Sequence, residues 1–178
     1  MRICLISTWP PWRDGIALYS AKLCSHISCW AEIIVLANTA SDAPQRMQNV
    51  KVIQCWKRND FFSLMGLATK VARSGAQVVH LQFGWKLYGG WLSLIAIVLL
   101  LMMLKLIRRK VIITIHTVFV REKINDTISR YIPRFFSSLA TPLITLFTKS
   151  LTALSTMVIV HNKRMEKELV NAYHVRPS

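Results

Sequence analysis

The sequence predicts an α/β protein, a Rossmann-like, doubly wound parallel sheet, and three observations carry that reading. Short apolar runs alternate with longer segments of helical spacing along nearly the whole chain. Most of the runs are continuous in Val, Ile and Leu rather than alternating, as strands covered on both faces require. Polar residues collect just after the runs, at the expected carboxyl ends of the strands, where sheets of this kind bind ligands.

Strands are expected over Arg2–Ser7, Glu32–Ala37, Val50–Trp56, Gln77–Phe83, Lys110–His116 and Thr156–His161. Helical spacing predicts Ile16–Cys29, Phe61–Ser74, Gly90–Arg109, a long segment from near Asp126 to Leu154, and Lys163–Tyr173. At the first corner, "STWPPWRDGIALYS", two prolines and an Asp-Gly pair turn the chain from strand into helix. The link "NTASDAPQRMQN" reads as a loop without a helix. Within "SRYIPRFFSSLATPLITLFTKSL", Pro133 and Pro142 are expected to break the helix into pieces. No internal repeat is evident, and 178 residues suit one domain with a sizeable core.

The 53% hydrophobic content argues against disorder and against a nucleic-acid-binding tail. The net charge of +15, from 23 basic and 8 acidic residues, bears on partners rather than on fold. No Asp or Glu occurs from Phe61 to Val120, where Lys70, Arg73, Lys86, Lys105, Arg108, Arg109 and Lys110 lie among apolar and aromatic residues. This pattern suits an anionic membrane surface, and a solvated basic face fits it equally. No nucleic-acid-binding module is present, so no nucleic-acid partner is expected.

The run "WLSLIAIVLLLMMLKLIRRK" has an uncharged core, Trp91–Leu104, of 14 residues, short of the roughly 20 that span a bilayer. Being apolar all round, it needs cover on its outer face: lipid, another subunit or a further domain. Four cysteines form no CxxC and no zinc-spaced cluster, and Cys4 and Cys55 fall inside strand runs as small buried thiols. The apolar run before Trp9-Pro10-Pro11 is too short for a signal-peptide core. A reducing, cytoplasmic setting follows, peripheral to the cytosolic face of a membrane.

Candidate site residues come from the strand ends. A glycine after the proline corner, Gly15, would let backbone N–H groups at a helix N-terminus approach an anion, or serve as a plain turn residue after Asp14. His80 and Gln82 alternate along one strand and so share a face, as packing or as ligand contacts. His116 and His161 end their strands. Arg13 and Lys86 lie in loops at the same edge, either as solvated charges or as partners of a ligand phosphate. Asn162 needs no role beyond capping the helix that follows. The corner is not a G-x-G-x-x-G fingerprint, and no paired carboxylates of the glycosidase kind are present.

Four motifs in order are "MRICLISTWPPWRDGIALYSAKL", "VVHLQFGWKLYGG", "RRKVIITIHTV" and "MVIVHNKRMEKELVNAYHV". Through them the chain resembles the N-terminal, acceptor-side domain of the GT-B glycosyltransferases of family 4, which are retaining enzymes. The resemblance implies half of a hexosyltransferase, spanning residues 1–178, without its C-terminal donor-binding domain. His116 would be the catalytic residue beside the transferred sugar, and Gly15, Arg13, His80, Gln82 and Lys86 would bind substrate. The donor would be a nucleotide sugar and the acceptor a glycan or lipid-linked molecule, with no separate cofactor and no metal, since no Asp-x-Asp occurs. A separate chain would supply the donor domain. The alternative is a non-catalytic, membrane-associated subunit, or a truncated inactive remnant, that pairs with an active chain.

Overall fold

The computed structural model describes residues 1–121 and 134–175. The strands are β1 (Arg2–Ser7), β2 (Glu32–Asn38), β3 (Val50–Trp56), β4 (Val78–Phe83), β5 (Lys110–Ile115) and β6 (Met157–Val160). They form one six-stranded sheet in the order β3-β2-β1-β4-β5-β6. Every pairing is parallel, with Cys4 of β1 opposite Ile34 on one side and Val79 on the other. The fold is therefore α/β and Rossmann-like, as the alternation of apolar runs and helical segments predicts. The strand order reverses between β1 and β4, with β2 and β3 added on one side and β4 to β6 on the other, and that switch point opens a crevice at the carboxyl edge.

The helices are α1 (Gly15–Ile27), α2 (Phe61–Met65), α3 (Leu67–Ser74), α4 (Trp91–Leu106), α5 (Arg134–Leu154) and α6 (Lys163–Asn171). One expected helix, Phe61–Ser74, is two: Gly66 ends α2, its N–H bonding Phe62 O at 3.0 Å, and then begins α3. The expected break at Pro142 is absent, because Pro142 lies inside a continuous α5. A proline forfeits one backbone bond, and the buried Ala140, Ile144 and Leu151 of the same helix hold it in place. Pro133 and the expected helix start near Asp126 fall outside the described residues. The strand runs ending in His116 and His161 stop one residue earlier than expected, so both histidines sit at the carboxyl edge itself.

Alternation along the strands assigns the two faces of the sheet. Ile6, Leu36, Val79, Leu81, Phe83, Ile113 and Ile115 pack with α2, α3 and α4 in the larger core. Leu5, Ile33, Val35 and Ala37 pack against Ala21 and Cys24 of α1 on the other side. Beyond α1, that second face turns polar at His80, Gln82 and Thr114, all buried. All four cysteines are free, and burial pushes the Cys4 and Cys24 thiols up to about 12. Thiols held protonated in this way are poor nucleophiles.

At the edge of the crevice the loop after β3 is tied to the loop after β4. Asn59 N–H donates to Tyr88 O at 2.9 Å, and Gly90 N–H donates to Asn59 Oδ1 at 2.7 Å. Gly89 lies at φ +122°, and a Cβ there would run into Asn59 Oδ1 and would lie 2.7 Å from Asn59 N. Glycine is required at this position by both the backbone angle and the close approach.

Candidate functional site

The proline corner places Asp14 as the N-cap of α1, its carboxylate accepting from Ala17 N–H at 2.6 Å and from Thr8 Oγ1 at 3.1 Å. A negative charge is thus already built into this helix N-terminus, where the dipole favours one. Gly15 adjoins open space, with nothing within 4 Å of the position a Cβ would take. The glycine is therefore not forced there by crowding.

Beneath the edge runs a chain of hydrogen bonds from the interior to the surface. Thr114 Oγ1–H donates to His80 Nε2 at 2.8 Å, and Gln82 Nε2–H approaches the same nitrogen at 3.2 Å. The other end of the Gln82 carboxamide, Oε1, accepts from His116 Nε2–H at 2.7 Å. His161 Nε2–H then donates to His116 Nδ1 at 3.0 Å. Tyr19 of α1 sets its ring edge-on to both His116 and His161, with centroids 5.1 and 5.3 Å away. The Gln82 carboxamide orientation fixes the polarity of the chain and hence both tautomers: His80 accepts at Nε2, and His116 carries its proton there.

Burial lowers the His80 pKa to about 4. His116 is lowered to about 4 as well, by burial first and then by His161; Asp14 opposes this, and His80 adds to it. Both rings are neutral at pH 7. With Nε2 donating to Gln82 and Nδ1 accepting from His161, His116 has no ring nitrogen left for a ligand. The surface end of the chain is the exposed His161.

Over this chain lies a cleft of about 660 Å³. Its walls come from the exits of β1 (Trp12, Asp14), β3 (Arg58), β4 (Trp85, Lys86) and β5 (His116, Phe119). Trp85 and Phe119 pack with centroids 4.9 Å apart and planes tilted by 49°, and Trp85 Nε1–H is anchored to Thr117 O at 3.0 Å. The wall therefore offers aromatic surface beside cationic groups. A larger depression of about 900 Å³ lies at the amino edge, around the Arg2–Glu32 ion pair. Only the carboxyl-edge cleft stands at the switch point, where α/β sheets bind ligands.

No protein-family model and no curated protein matches the chain. A solved structure similar to it is a short-chain dehydrogenase/reductase from Burkholderia vietnamiensis, at 11% identity and a TM-score of 0.45, covering 100% of this chain and 97% of that one. The expected membership of glycosyltransferase family 4, with its GT-B architecture and retaining sugar transfer, is corrected by these findings. No family model supports it, and the structural likeness is to a protein described as a dehydrogenase/reductase. At that level of similarity, neither activity nor cofactor passes from the dehydrogenase to this chain. Physically, the four motifs are the strand exits and turns of the fold itself, and a fold does not fix a chemistry.

Of the residues singled out in the sequence, His80, Gln82 and His116 come together in one hydrogen-bonded chain. Lys86 and His116 line the cleft, while Arg13 and Gly15 do not. His80 and Gln82 lie buried beneath it. Asn162 caps α6, its side chain accepting from Met165 N–H at 2.9 Å. Sequence reasoning passed over Trp12, Tyr19, Asn38 and Arg58. Asn38 carried the same signal that exposed His116, a polar residue at the end of a strand run. Among the described residues, no cluster of His, Cys, Asp and Glu could hold a metal ion.

Proposed function

We propose that the chain binds a small phosphate-bearing ligand with a planar ring, of the nucleotide class, in the carboxyl-edge cleft. The observation that carries this reading is the composition of one wall: Trp12, Trp85 and Phe119 beside Arg58 and Lys86. Aromatic faces hold a planar ring, and guanidinium and ammonium groups hold phosphate oxygens. The histidine chain stiffens the floor, and His116 contributes a neutral ring surface rather than a free nitrogen. Tryptophan fluorescence titrated with ADP and with UDP tests the reading. Saturable quenching by at least one is expected, weakened roughly tenfold in Trp12→Ala. Absence of saturable quenching by either diphosphate contradicts it.

A second reading, concerning location, is favoured by the outer face of α4. No helix among the described residues is long and apolar enough to cross a membrane. Yet α4 leaves Trp91, Leu92, Ile95, Met102, Met103 and Leu106 exposed along one stripe, while its opposite face is buried. Lys105, Arg108 and Lys110, all exposed, flank the carboxyl end of that stripe. Apolar side chains beside lysine and arginine complement an anionic leaflet, each basic residue contributing about 1 kcal/mol near the surface. We propose that this stripe rests on anionic lipid. Co-sedimentation at low salt is expected with phosphatidylserine vesicles and not with phosphatidylcholine ones, with at least tenfold weaker binding in the double variant Leu92→Glu, Leu106→Glu. Equal recovery in the supernatant with both lipids would remove the proposal.

A further inference from the structure

Beside the cleft, and sharing Trp12, Asp14, Arg58, Lys86 and Leu87 with it, lies a recess of about 60 Å³ at the exits of β1, β2 and β3. Its depth is formed by Thr8 and Asn38, both buried. Asn38 is 5% exposed, and its Oδ1 accepts from Trp9 N–H at 3.2 Å. That bond fixes the carboxamide, so Nδ2 cannot exchange places with Oδ1 without setting two donors against each other. Nδ2 is left buried with no hydrogen-bond partner among the described residues. Buried donors are seldom left in that state, and an acceptor placed in the recess would satisfy this one.

The surroundings specify the ligand's chemistry. The hydroxyls of Thr8 and Thr39 are already donating, to Asp14 and to Trp56 O. Two cationic residues, Arg58 and Lys86, stand on the wall against one carboxylate, Asp14. Among the described residues Arg58 has no ion pair. A neutral donor fixed in depth and cations at the rim call for a group that only accepts and that carries negative charge. The Asn59 clamp between the loops after β3 and β4 keeps Arg58 and Lys86 on neighbouring segments. The volume admits one small group and excludes a ring system.

We propose that this recess is an oxyanion subsite, in which Asn38 Nδ2 and Arg58 hold a phosphate or carboxylate group. It rests on the reading of the adjoining cleft when the anion belongs to a bound ligand, and stands alone when the anion is free. Asn38 supplies direction and Arg58 supplies charge.

The test is isothermal titration of the full chain with UDP and ADP, with their nucleosides uridine and adenosine, and with inorganic pyrophosphate, repeated on Asn38→Asp and Arg58→Gln. Asn38→Asp keeps the acceptor for Trp9 N–H while turning the donor into a charged oxygen; Arg58 is exposed, so its replacement leaves the core intact. Unfolding temperatures of both variants establish that they are folded. Diphosphate binding about tenfold weaker in each variant, with nucleoside binding unchanged, supports the subsite as the seat of a ligand-borne phosphate. Pyrophosphate binding that is lost in the variants, with neither UDP nor ADP bound by the unaltered chain, supports the subsite for a free anion and removes the cleft reading. Variants that bind the diphosphate, or pyrophosphate where it alone binds, within twofold of the unaltered chain overturn the subsite. Failure of the unaltered chain to bind UDP, ADP or pyrophosphate overturns both.

Discussion

Trp56→Ala is expected to lower the free energy of unfolding by about 4 kcal/mol, the usual cost of truncating a large buried aromatic residue. Trp56 closes β3 and is 1% exposed, with its ring packed on Tyr88 at a centroid distance of 4.9 Å. Its Nε1–H donates to Leu36 O at 3.0 Å, so truncation removes a bond between β2 and β3 as well as filling volume. Tyr88, fully buried, in turn donates from its hydroxyl to Gln82 O at 2.8 Å. The pair therefore braces the larger core on the α2–α4 side of the sheet, and Trp56 also lines the recess. Domains of this size are stable by roughly 5–15 kcal/mol, so the variant should unfold at markedly lower urea concentration. A loss below about 1 kcal/mol, within the range of surface substitutions, would mean that the ring is not packed as described.

Acid should destabilise the protein well above the range in which carboxylates alone would do so. His80 and His116 have pKa values lowered to about 4 in the folded chain, against about 6.5 for an unburied histidine. Between those values the unfolded chain takes up protons that the folded chain refuses. Stability is therefore complete above about pH 6.5 and declines as the pH falls toward 4. For His80 alone, the more buried of the two, the decline is on the order of 3 kcal/mol. His116 adds less, being half-buried and coupled to His161. Urea midpoints at pH 7.5 and pH 4.5 measure the decline. In His80→Gln, which retains an acceptor for Gln82 and Thr114, the gap between the midpoints should narrow. An unchanged gap in that variant would contradict the burial of a neutral imidazole at this position.

The fold was legible in the sequence because strands buried on both faces cannot hide their composition. The runs at Arg2–Ser7 and Val50–Trp56 have the same bounds in the sequence and in the structure. The misreadings fall where packing outweighs local preference. The run Phe61–Ser74, expected as one helix, is divided in two at Gly66, whereas Pro142 looked like a breaker and is carried by the buried face of its own helix. At the site, the strand-end rule picked out His80, Gln82 and His116, since polar residues within apolar runs stand out. It passed over Asn38, which ends β2 in the same way, because a lone asparagine before a loop reads as turn chemistry. Arg58 and Trp12 were obscured by the other basic and aromatic residues of a chain rich in both. The family resemblance misled for a related reason. A parallel sheet of this kind puts glycines, histidines and prolines at its strand exits whatever chemistry it supports, and motifs drawn from those exits report the fold first.

The most direct test of ligand binding at the carboxyl edge is amide hydrogen exchange with and without saturating UDP or ADP, whichever quenches the tryptophans. Protection is expected in residues 12–17, 84–90 and 116–119, the segments that wall the cleft. Protection confined to residues 28–33 and 75–77, beside the larger depression at the amino edge, would contradict it.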